Sequence, residues 1–65
     1  MQLQIENMTC GGCARGVTKA IQAIDPNANV AADPDMRLVV VTTQVSEEDV
    51  INALDGAGFP ARRTG

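Results

Sequence analysis

The chain has 65 residues, with five Lys or Arg against eight Asp or Glu and no histidine, for a formal charge of −3. A chain of this length makes one small domain, expected over residues 1–65. Folding buries only ~60% of its unfolded surface, which leaves little room for a deep substrate pocket, and no enzyme is expected. Phe59 is the one aromatic residue and no Lys/Arg cluster exists, which excludes nucleic acid, while the longest apolar runs fall short of the ~20 residues that span a bilayer.

Met1, Leu3 and Ile5 alternate with Gln2, Gln4 and Glu6, the period of a half-buried strand. This N-terminus carries no basic region and no long apolar stretch, so it reads as no secretory signal, and Met1 as the start implies a cytoplasmic protein. Asn7 to Gly12 reads as a loop holding Cys10, Gly11 and Gly12. From Cys13 the apolar positions take helical spacing, with Cys13, Val17, Ala20, Ile21 and Ile24 on one stripe and Arg15, Thr18, Lys19 and Gln22 off it. Asp25-Pro26 ends that helix, because a residue before proline is disfavoured in the α region.

Asn29 to Asp33 is a second strand with Val30 and Ala32 on one face, and Pro34-Asp35 is a turn. Leu38 to Thr42 is the most β-prone run and reads as an interior strand. Ser46 fits a helix N-cap, with Asp49 at the capping-box position and Val45 placed to staple against Val50. Val50, Ile51, Leu54 and Ala57 supply the buried face of this second helix, and Gly58 fits the left-handed position that ends it. Phe59 to Arg63 remains as a short edge strand in which Pro60 is tolerated.

The order is βαββαβ. Right-handed crossovers turn this order into a ferredoxin-like α+β fold, a four-stranded antiparallel sheet with two helices on one face. The cysteine loop then shares one end of the molecule with Phe59, Asp33, Asp35 and Met36.

Cys10-Gly11-Gly12-Cys13 places two sulfurs close enough to share one ion, and the glycines let the backbone turn around it. Cys13 is expected at a helix N-terminus, where free N–H groups favour a thiolate. Two cysteines and no histidine cannot close a zinc site, and soft donors disfavour hard cations. What remains is a soft d10 ion: Cu(I) first, then Ag(I) or Hg(II). An open two-sulfur site lets a partner's thiolate attack the ion before either original sulfur leaves.

The stretch Met8-Thr9-Cys10-Gly11-Gly12-Cys13, between a first strand and a first helix, resembles the M-x-C-x-x-C loop of heavy-metal-associated domains. These include small cytoplasmic copper chaperones and the N-terminal modules of copper-transporting P-type ATPases. The resemblance extends to Ala57-Gly58-Phe59-Pro60. It implies that Cys10 and Cys13 ligate Cu(I), that Met8 props the loop from below, and that Phe59 packs near the site. Asn7 stands where relatives carry glycine; asparagine tolerates left-handed backbone well. Thr9 is expected to hydrogen-bond within the loop and tune the thiolates, and Met36 to be a turn residue without a ligand role.

The resemblance further implies a metal-binding domain of a copper-transporting ATPase as partner, docked by weak charge complementarity against a locally basic patch. The metal-free chain is expected to be monomeric, with a metal-bridged homodimer pooling four thiolates as an open alternative. Rival readings are an N-terminal domain of such an ATPase, a mercury-binding carrier and a thiol–disulfide redox protein. The redox reading rests on the same C-x-x-C at a helix start.

Overall fold

The computed structural model describes residues 1–64. The elements are β1 (Gln2–Ile5), α1 (Gly11–Ile24), β2 (Asn29–Asp33), β3 (Leu38–Thr42), α2 (Glu47–Gly56) and β4 (Ala61–Arg63). The strands form one sheet in the order β2-β3-β1-β4, with every neighbouring pair antiparallel. This is the ferredoxin-like arrangement read from the sequence: each β-α-β unit leaves a gap that a strand of the other unit fills.

The alternation in β1 puts Leu3 and Ile5 wholly inside, and β3 contributes Val39 and Val41 from the centre of the sheet. Val17 and Ile21 of α1, Val50 and Leu54 of α2, with Met8 and Ala28, complete the buried cluster. Burying each large aliphatic side chain contributes roughly 1.5–3 kcal/mol, so these two stripes hold the helices to the sheet.

Two boundaries and two burial assignments differ from the sequence reading. Helix α1 begins at Gly11, not Cys13: Cys10 is the N-cap in extended conformation, and its carbonyl already accepts the Ala14 N–H at 3.0 Å. First-turn residues donate no intrahelical hydrogen bond, so the two glycines forfeit less there than in a helix interior. Ile24, assigned to the buried stripe, is 40% exposed, because it is the last residue of α1 and the core stops at Ile21. Ala57 is likewise exposed, being the C-cap where the chain turns away through Gly58. Strand β4 starts at Ala61, since the Phe59 N–H is spent on the Leu54 carbonyl at 2.8 Å and Pro60 has no N–H to offer.

Helix α2 is capped as expected, with the Asp49 N–H donating to the Ser46 Oγ at 3.2 Å. Val45 packs against the cluster that contains Val50. Gly58 adopts φ +88°. Among the described residues no helix is long and apolar enough to cross a membrane.

Candidate metal centre

Strand direction gathers one pole. Strand β1 ends where β3 begins, with the Ile5 N–H on the Arg37 carbonyl at 2.8 Å, and Ile5 is also paired with Ala61 at the start of β4. The loop after β1, the Pro34–Arg37 turn and the α2–β4 connection therefore meet at one end, as the topology predicted. Met36 lies there with its side chain 62% exposed, a turn residue.

Three contacts fix the loop. Met8 is fully buried in the core and its N–H donates to the Ile5 carbonyl at 3.1 Å. The Asn7 Nδ2 donates to the Gly58 carbonyl at 3.2 Å, tying the loop to the α2–β4 turn. Glu6 accepts from Arg37 at 3.1 Å and from Arg62 at 2.9 Å, joining the loop's base to the β2–β3 turn and to β4. These contacts of Glu6 and Asn7 were not read from the sequence. Only the strand order brings their partners, 31 to 56 residues away, to the same pole.

On this base the sulfurs of Cys10 and Cys13 stand 3.4 Å apart. Cys10 is exposed and Cys13 half-buried against the core, and both are free thiols. Because Cys10 is the N-cap, it is the sulfur nearest the free N–H groups, a role the sequence reading gave to Cys13. Among the described residues no side chain makes a capping hydrogen bond to α1, and no acid occupies its first turn. The backbone N–H of Cys13, a hydrogen bond from the Cys13 thiol, the Gly12 N–H and the Arg15 charge all favour the Cys10 thiolate. They hold its pKa below the ordinary thiol value against a smaller opposing effect of burial.

Thr9 is exposed and its expected hydrogen bond within the loop is not formed among the described residues. Phe59 sits half-buried against α1: a Cβ placed on Gly16 would lie 3.1 Å from the ring. Gly16 thus opens a seat for the aromatic one turn below Cys13, which the spacing Cys13-x-x-Gly16 could have signalled. No group of three or more His, Cys, Asp or Glu side chains able to hold an ion exists among the described residues. The two sulfurs are the whole donor set of that kind, and they suit a soft ion bound at low coordination number.

The sequence profile of the heavy-metal-associated domain matches residues 2–60. No curated protein matches the chain. Among solved structures, a gold binding protein is 53% identical with a TM-score of 0.93, covering 95% of each chain. The copper chaperone Atx1 from Synechocystis PCC6803 is 34% identical with a TM-score of 0.92, covering 95% of this chain and 98% of its own. Oxidized MerP from Ralstonia metallidurans CH34 is 29% identical with a TM-score of 0.83, over 94% of this chain and 89% of its own. A profile match across nearly the whole chain, together with a fold shared at this level, settles its kinship: the chain belongs to the heavy-metal-associated domain family.

Proposed function

We propose that the chain is a cytoplasmic Cu(I) carrier in which Cys10 and Cys13 hold the ion as cargo, without catalysis. The cargo passes to a metal-binding domain of a copper-transporting P-type ATPase. The observation that carries this reading is the pair of accessible sulfurs 3.4 Å apart with no third donor of the usual kind gathered beside them. An ion held by two thiolates keeps an open side. A partner thiolate adds there, one original sulfur leaves and takes up a proton from solvent, and no free ion is released. Met8 holds the loop from below and Phe59 shields its flank, with residues 1–65 acting as one domain.

Anaerobic competition with a chromophoric Cu(I) chelator tests the ligands. Tight binding is expected for the reduced protein, with a loss of several orders of magnitude on Cys10→Ser or Cys13→Ser; binding that survives both changes removes them as ligands. Mixing the loaded protein with an ATPase domain in the presence of chelator tests delivery, since capture by the chelator first rules out direct exchange. A second reading is favoured by the 53% identical gold binding protein: Au(I), another soft d10 ion, as cargo. Parallel titrations with Cu(I), Au(I), Ag(I) and Hg(II) separate the readings by rank of affinity.

A further inference from the structure

The sheet has two edges, and they are protected unequally. Strand β4 carries Arg62 and Arg63 and is preceded by Pro60, the devices that keep an edge from pairing with another chain. Strand β2 reads Asn29-Val30-Ala31-Ala32-Asp33, with no Lys, Arg or Pro inside it; its one charge, Asp33, and the following Pro34 stand at its C-terminal end, beyond Val30 and Ala32.

The ladder parity tells which groups of β2 are free. Met1 and Val41 exchange backbone hydrogen bonds, and the Ile5 N–H reaches the Arg37 carbonyl, so Arg37, Val39 and Val41 turn their N–H and C=O groups toward β1. The alternate residues Leu38, Val40 and Thr42 turn theirs toward β2, where they meet Asp33, Ala31 and Asn29. The backbone groups of Val30 and Ala32 therefore point outward from the edge, unpaired by any strand.

We propose that β2 is a self-pairing edge, at which two copies of the chain join antiparallel about a two-fold axis through Ala31. In that register Val30 of one copy faces Ala32 of the other. Each of the two Val30–Ala32 pairs exchanges two backbone hydrogen bonds, and every outward group of the strand is used. Ala31 meets its own counterpart at a non-hydrogen-bonded site, where Cα atoms approach to ~4.5 Å, and alanine is small enough to allow it. Asn29 meets Asp33, an amide donor against a carboxylate, so the two acids are kept apart. Sliding the register by two residues brings Val30 or Ala32 against its own counterpart and sends the other outward residue past the strand end, to Pro34 or Ala28.

The open face of the sheet supports the same pairing. Val40, beside Ala31 in the ladder, is 48% exposed, and a shallow hollow of about 240 Å³ lined by Asn29, Val30, Ala31, Val40 and Thr42 borders this edge. Pairing would join the two Val40–Ala31 rows into one apolar strip over the four central strands of an eight-stranded sheet, bounded by Gln2 on each side. Because the axis is perpendicular to the sheet, the two sulfur poles end up at opposite ends. The association is independent of metal and leaves both thiol pairs free, unlike a dimer bridged by four thiolates.

Four backbone hydrogen bonds and a short strand make this a weak dimer, so the test is run from micromolar to about millimolar protein by diffusion NMR with hydrogen exchange. The apparent mass of the metal-free protein should rise toward twofold, and exchange at the Val30 and Ala32 amides should slow several-fold with concentration. Ala31→Lys and Ala31→Asp each place like charges at the closest approach on an exposed position and should abolish the rise. A one-to-one mixture of the two variants should restore it. The Cys10→Ser/Cys13→Ser protein should behave as the wild type. A wild type that stays monomeric at millimolar concentration overturns the proposal, as does association unaffected by Ala31→Lys or lost with the cysteines.

Discussion

At the scale of single residues, Cys10 and Gly58 show the local chemistry most clearly. Cys10 lies in the field of free amides, which favour its thiolate, so its pKa is lower folded than unfolded. In the metal-free protein the pH profile of iodoacetamide alkylation at Cys10 should have its midpoint below the ordinary thiol value of 9.0 and shift up in denaturant. The linkage has a definite sign: a depressed pKa stabilises the folded chain above the unfolded value and fades as pH falls through the folded one. Gly58 is a purely conformational case, since a Cβ there meets nothing within 4 Å but φ is +88°. Gly58→Ala should cost about 1 kcal/mol or more in chemical denaturation, and it should disturb the carbonyl that Asn7 grips.

At the scale of elements, the two helices begin in opposite ways. Helix α2 has a side-chain cap and three acids, Glu47, Glu48 and Asp49, in its first turn, whereas α1 has neither and opens with two glycines. The first-turn amides of α1 are left free beside the Cys10 sulfur, at a cost in helix stability. Ser46→Ala should lower stability by about 1 kcal/mol. Gly11→Ala, whose Cβ enters open space, should raise it by no more than about 0.5 kcal/mol, because glycine's helix penalty is reduced in a first turn. With Cys10 and Cys13 as the proposed ligands, the stiffer alanine variant should take up its ion more slowly than the wild type in stopped-flow loading. The element order, the centres of both buried stripes and the sulfur pair were legible because each rests on period, cap chemistry or spacing, while the stripe ends at Ile24 and Ala57 were not. What was not legible depended on partners far away in sequence. Asn7 finds the Gly58 carbonyl and Glu6 finds two arginines only after the sheet has formed. The start of α1 was misplaced because glycine is a poor helix former in an interior, and the first turn does not apply that penalty.

At the scale of the whole molecule, ten buried hydrophobic residues among those described carry the fold. A chain of this size has a total stability of only ~3–10 kcal/mol, so deleting one large core side chain takes a substantial share of it. Ile21→Ala, at the middle of the core, should cost about 2–5 kcal/mol and leave much of the protein unfolded by circular dichroism, while Val40→Ala on the open face should cost less than about 1 kcal/mol. Strand direction has another outcome. Met1 is stitched to Val41 and Thr64 to Gln2, so both ends of the described chain leave from the pole opposite the sulfurs. A tether at either terminus, whether to a resin, a fluorophore or a tandem copy, hangs from the back of the molecule and keeps its thiol tip facing the bulk.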